Sequence, residues 1–223
     1  IKSSAASDVY KRQALADRGY VVFNINYRLV PDVTVNQQLQ DVARALRWIR
    51  DHGSQYPCDM RNIMLTGDSA GGQLAAYSAV LMQSAQLRKT FDTVDPQMEL
   101  TALLLTSPVA FMRDGGLFSL YTKPMWGTDY KDKATYPYMD FDQIIDYARA
   151  LPPTYLITSS GDTLANKQTH RLYEVLQAHG VQAEIKDYAK AEYNQSLPHV
   201  FSVLQPFEPA GTAAIDKALA FYQ

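Results

Sequence analysis

Three side chains in this sequence have the types and placement needed to break an acyl bond. Ser69 lies in Asn62-Ile-Met-Leu-Thr-Gly-Asp-Ser-Ala-Gly-Gly-Gln-Leu-Ala75, where a short apolar run stops at Gly67 and a helical pattern begins after the serine. That is the strand–turn–helix setting in which G-x-S-x-G becomes a nucleophile elbow. The tight turn holds the hydroxyl clear of the backbone, and small residues at Gly67 and Gly71 are expected because a Cβ there would strike the strand or helix. A bare G-x-S-x-G is weak evidence, since roughly one random chain of this length in a dozen would hold one; the flanking pattern makes it specific. A serine hydroxyl is a poor nucleophile until a base takes its proton, and the base needs a carboxylate to fix its tautomer. Asp162 follows the run Leu156-Ile-Thr-Ser-Ser-Gly161, and His199 lies in the loop Ser196-Leu-Pro-His-Val-Phe201.

The elements that must carry these residues read as alternating strands and helices. Tyr20–Tyr27 is β-branched and aromatic between Gly19 and Pro31-Asp32, and predicts a buried strand. Leu39, Val42, Ala43, Leu46 and Ile49 keep helical spacing, with Thr34 and Gln37 as a capping box and Gly53 as a stop. Ile63–Thr66 feeds Ser69, and Gln73–Gln83 continues the helix behind it. Leu100–Val109, Thr154–Ser159 and the alternation Val181, Ala183, Ile185 predict three further strands. Leu172, Val175, Leu176 and His179, closed by Gly180, and then Ile215, Leu219 and Tyr222 mark two more helices. The order implies an α/β fold, a doubly wound, mainly parallel sheet covered on both faces, in one domain over residues 1–223. The aromatic section 111–153, after the third strand, is expected to be a cap-like insertion. On such a sheet, catalytic groups sit past the carboxyl ends of strands, as Ser69, Asp162 and His199 all would.

Composition narrows the class. The chain has 223 residues, 47% hydrophobic, with net charge −2, so nothing favours nucleic acid or an anionic membrane as a partner. No apolar run reaches the ~18 residues of a membrane span. Cys58 is the single cysteine, which excludes an internal disulfide framework, and the four histidines lack zinc-site spacing. Neither a metal nor an organic cofactor is implied. Residues 1–13 lack signal-peptide architecture; they look like translated adaptor sequence, with a natural but frayed first helix as the alternative. Cytoplasmic placement is the favoured expectation, with the native N-terminus, and any export signal, missing upstream.

The chain order Ser, Asp, His resembles that of the α/β-hydrolase fold. More narrowly, the sequence is similar to hormone-sensitive-lipase-like carboxylesterases. Their Y-R-L-A-P-E is matched by Tyr27-Arg-Leu-Val-Pro-Asp32, and Asp41, Trp48 and Asp59 match a further acid, tryptophan and aspartate before the elbow. Their G-D-S-A-G-G stands intact at Gly67–Gly72. D-x-L-x-D is matched at Asp162 and Leu164 with Asn166 in place of the second acid, and H-G-F at His199 and Phe201 with Val200 in the middle. The resemblance implies a cofactor-free serine esterase acting on a small, short-acyl ester, with Ser69 as nucleophile, His199 as base and Asp162 as orienting acid. Ala70 N–H would be an oxyanion donor, and Phe118, Tyr121, Met125, Trp126 and Tyr130 would line the pocket or simply pack the cap.

Alternatives stand beside these assignments. His52, His170 and His179 lie in helical patterns; Asp92, Asp95, Asp142 and Asp187 fit a strand end less well than Asp162; Asp68 reads as a structural group. Tyr27, Arg28 and Asp32 are expected to brace the loop after the first strand. A serine peptidase, amidase or thioesterase on the same scaffold, or a non-catalytic ligand-binding relative, are the rival functions.

One family feature is absent. The H-G-G segment that gives a second oxyanion contribution has no counterpart; the only Gly-Gly pairs are Gly71-Gly72 and Gly115-Gly116. In the fold the resemblance implies, the strand before that motif lies between Tyr20–Tyr27 and Ile63–Thr66. Without it, either those strands close up or a slot separates them, and impaired catalysis is the expectation.

Overall fold

The computed structural model describes residues 4–113 and 119–223, with side chains described for 9–113 and 120–223. Four strands form one parallel sheet: β1 (Met64–Asp68), β2 (Ala102–Thr106), β3 (Thr154–Ser159) and β4 (Ala183–Tyr188), side by side in chain order. The register runs Met64 opposite Ala102, Leu103 opposite Thr154 and Thr154 opposite Ala183. Parallel neighbours need crossovers. These are supplied by α3 (Ala70–Leu81) with α4 (Ala85–Phe91), by section 111–153, and by α6 (Asn166–Ala178).

Both faces of the sheet are covered, and the period of two in a strand decides what covers each. Leu105 and Leu156 join a core with α3, α6 and α2 (Val35–His52), whereas Leu104, Tyr155 and Ile157 pack against α9 (Pro209–Ala220) and α8 (Phe201–Leu204). Consecutive residues therefore serve opposite layers, which is why β2 and β3 are buried throughout. The buried stripe of α2 is the predicted one, and its capping box joins Thr34 and Gln37. On the second face α1 (Ser4–Ala16) buries Ala14 and Leu15 against Ile215 and Leu219 of α9. No helix among the described residues is long and apolar enough to cross a membrane.

Section 111–153 folds down onto the first core. Its described residues hold α5 (Ser119–Trp126) and four single 3₁₀ turns, and bury Phe111, Trp126, Met139, Phe141, Ile144 and Ile145. Asp140 ties its later half back to its start: its carboxylate accepts from the N–H groups of Met112 (2.6 Å) and Arg113 (3.0 Å).

Tyr20–Tyr27 departs from expectation. Its exposure largely alternates, but it is not a strand, because it has no ladder partner among the described residues. Between it and β1 lies a cavity of about 730 Å³, lined on one side by residues 20–27 and on the other by residues 62–68. The sequence supplied a strand's residue types, but a strand also needs a neighbour at about 4.8 Å, and the nearest edge lies across the cavity.

The inner edge of that cavity follows from register. Ile63 accepts from Thr101 N–H and Ser69 N–H donates to Thr106, so alternate residues from 63 to 69 face β2. The backbone groups of Met64, Thr66 and Asp68 therefore point the other way, into the cavity. A buried backbone group left dry and unpaired costs about 1–3 kcal/mol, so this edge lacks the support that pairing gives the two inner strands.

Candidate active site

Ser69, Asp162 and His199 converge past the carboxyl ends of β1, β3 and β4. His199 Nε2 lies 2.9 Å from Ser69 Oγ, and His199 Nδ1 lies 3.0 Å from Asp162 Oδ2 and 3.1 Å from Oδ1. The competing histidines lie elsewhere: His170 pairs with Asp187, His179 with Asp146, and His52 stacks on Trp48.

The turn at Ser69 is strained. Ser69 has φ 51° and ψ −118°, a region that costs a non-glycine residue about 1–3 kcal/mol. Two bonds to the next segment hold it there: Ser69 N–H to Thr106 O (3.0 Å) and Val109 N–H to Ser69 O (3.2 Å). Gly67 is required sterically, since a Cβ would lie 2.2 Å from Gly71 O. The same expectation for Gly71 is corrected: a Cβ there would meet only Tyr27 Oη at 3.7 Å, and the tighter position is Gly72, at 2.9 Å from Pro108 Cβ. Ala70 opens α3, so its N–H has no partner within the helix and lies at the helix's positive end beside Ser69.

Asp162 is fully enclosed. Its Oδ1 accepts from the N–H groups of Leu164 (3.0 Å) and Ala165 (2.9 Å). Burial alone would push its carboxyl up, but the bonds from His199 and Ala165 outweigh it and hold the group below the ordinary carboxylate range. A permanently ionised acid behind the imidazole is what a serine–histidine pair needs. The Asp162 and His199 loops are tied together by Ser159 Oγ, which donates to Leu197 O at 2.7 Å.

Two departures from the family pattern have local physical accounts. Asn166 uses its amide as a donor to Asp187 Oδ2 (2.9 Å) and to Ser159 O (2.9 Å); an acid there would face a carboxylate and a carbonyl with no proton to offer. Val200 stands where the pattern has glycine, and its φ of 54° is in the left-handed region that a β-branched residue tolerates poorly. Arg28 braces the loop, as expected, through a two-pronged pair with Asp41 (2.9 and 2.8 Å). Asp68 faces Lys11 of α1 at 3.6 Å, a partner that sequence spacing gave no means of finding.

The expected pocket residues separate. Phe118 lies outside the described residues. Tyr121 is exposed, Met125 and Tyr130 are half-buried, and Tyr130 leans on Tyr136. Trp126 is corrected: it is 2% exposed and packed beside Tyr77 in the core, so it lines no open site. The helical spacing that places Tyr121 and Met125 on one side of α5 turns Trp126 inward. The large cavity reaches Gly67, Asp68 and Gly71, but none of the four described residues of this set lines it.

Comparison with known proteins agrees with the geometry. A sequence profile described as alpha/beta hydrolase fold matches residues 1–197, and the chain belongs to that family. Its solved relatives include Esterase B of Lactobacillus rhamnosis, with TM-score 0.86 and 30% identity over 95% of this chain and 68% of that one. The same esterase inhibited by a C4-C4 tributyrin phosphonate superposes with TM-score 0.86 at 31% identity. The probable carboxylic ester hydrolase LipM of Mycobacterium tuberculosis is 28% identical over 211 residues, 92% of this chain and 48% of its own length. The chain thus spans about half the length of LipM.

Proposed function

We propose that this chain is a serine carboxylesterase that cleaves small, short-acyl esters through an acyl-enzyme. The observation that carries the reading is the unbroken hydrogen-bonded line from Ser69 Oγ through His199 to Asp162. His199 Nε2 takes the hydroxyl proton as Ser69 attacks the carbonyl carbon, and Asp162 stabilises the imidazolium that forms. Ala70 N–H receives the developing oxyanion. The imidazolium then protonates the departing alcohol, and the neutral ring activates water to release the acid. Esterase B and LipM support the ester as substrate, and the tributyrin phosphonate bound by Esterase B favours short acyl chains. The acyl group would meet Tyr121, Met125 and Tyr130.

With Ala70 as the one oxyanion donor identified, residues 1–223 alone should turn over about 10²–10³ more slowly than an enzyme with a complete hole. A fluorophosphonate probe should label the protein, and Ser69→Ala should abolish both labelling and p-nitrophenyl butyrate hydrolysis. Equal labelling of Ser69→Ala, or cleavage of amides in preference to esters, would overturn the reading.

A further inference from the structure

The segment that leaves β2 stands between the two halves of the site. β2 lies between β1 and β3, so the residues just past its end separate Ser69 from Asp162. Three backbone bonds fix that segment on both sides. Thr106 O accepts from Ser69 N–H (3.0 Å), Val109 N–H donates to Ser69 O (3.2 Å), and Ser107 N–H donates to Ile157 O of β3 (2.8 Å). Ser107 is 1% exposed and has φ 46°, in the left-handed region where a side chain is strained. Such strain persists where surrounding bonds over-determine it, and it clusters at functional sites.

A hydroxyl buried without a partner is costly. Ser107 Oγ meets no partner at full hydrogen-bond geometry among the described residues, yet a carboxylate with room for a donor lies beside it. Asp162 Oδ1 accepts from Leu164 N–H, Ala165 N–H and His199, whereas Oδ2 accepts from His199 alone among the described residues. Burial opposes the charge on that carboxyl, and the bonds that offset it come from His199, from Ala165 N–H and from the Ser107 hydroxyl. A hydroxyl proton rotates to suit its acceptor, and hydrogen bonds in an unliganded site are often badly aligned until the substrate complex tightens them.

We infer that Ser107 is a positioning residue, whose hydroxyl donates to Asp162 Oδ2 and fixes the carboxylate against His199. Its consequence for rate rests on the proposed serine chemistry; the hydrogen bond itself can be read without turnover.

Two variants separate the hydroxyl from the strained backbone. Ser107→Ala loses the hydroxyl and keeps the strain, whereas Ser107→Gly loses both. With one donor fewer, the charge of the carboxylate falls more fully on the imidazole. The proton resonance of His199 Nδ1–H, measured by NMR at neutral pH, should therefore move further downfield in both variants. The imidazolium is also held more tightly, so the acid limb of fluorophosphonate labelling should move up by about half a pH unit in both. The plateau rate of labelling should fall about three- to tenfold. A solely structural role would lower the urea midpoint, leave the resonance and the acid limb in place, and overturn the inference. It is also overturned if Ser107→Ala shifts the resonance and Ser107→Gly does not, which would make the strained backbone responsible. Absence of labelling in the unaltered chain would count against the esterase reading alone, because the resonance still decides the Ser107 bond.

Discussion

β1 and β3 belong to one sheet yet have different surroundings. β3 has a strand on each side, and every one of its residues is buried. β1 is paired on one side only, and apart from Gly67 its residues are half-buried, because the other side opens on the cavity. The contrast is not one of residue type, since Met64-Leu-Thr and Tyr155-Leu-Ile are similarly apolar. It shows that a strand's contribution is set by what pairs with its edges as much as by its side chains. The site spans both settings: Ser69 leaves the open strand, and Asp162 leaves the closed one.

The contrast should show most strongly in stability. Leu105→Ala, on the closed side, should cost about 2–5 kcal/mol in denaturant unfolding, the usual price of a fully buried leucine. Leu65→Ala on β1 should cost less than half as much, because its site already borders open space; equal losses would break the comparison. Next in size is the elbow. Gly67→Ala forces a Cβ against the Gly71 carbonyl and should cut fluorophosphonate labelling about a hundredfold by displacing Ser69, while Gly71→Ala should leave it nearly unchanged.

Acid stability gives a smaller effect on the closed side. Asp162 titrates lower in the folded chain than in the unfolded one, so its contribution is fully present above the ordinary carboxylate value of about 3.9 and is lost as pH falls through the folded value. Asp162→Asn should flatten that part of the stability–pH curve, measured by urea melts between about pH 5 and pH 2. Smallest is Val200→Gly, which relieves a left-handed backbone angle and should raise stability by about 0.5–1 kcal/mol after the added freedom of the unfolded chain is deducted. A loss of stability there would show that the valine side chain's packing outweighs the strain.

Much of the site was legible because its signals are local. A glycine-flanked serine between a strand and a helix, an aspartate just past one strand and a histidine past another each follow from elements only a few residues long. Thr154–Ser159 coincides with its predicted bounds for the same reason: both its neighbours exist, so residue type and pairing agree. Tyr20–Tyr27 was misread because its residue types are those of a strand while its partner is not adjacent. The ion pair of Asp68 with Lys11, and Trp126's place in the core, depend on how distant helices settle, and no short-range pattern encodes that.

Ser69, the proposed nucleophile, stands at the end of an edge strand, yet its backbone is hydrogen-bonded inward, to Thr106 and Val109. Ser69 is thus mounted like the tip of a cantilever clamped to the firm half of the molecule. Loosening at the free margin of β1 can then proceed some way before the 2.9 Å reach to the imidazole is disturbed. Warming should accordingly erode the periphery of the protein before it silences the serine.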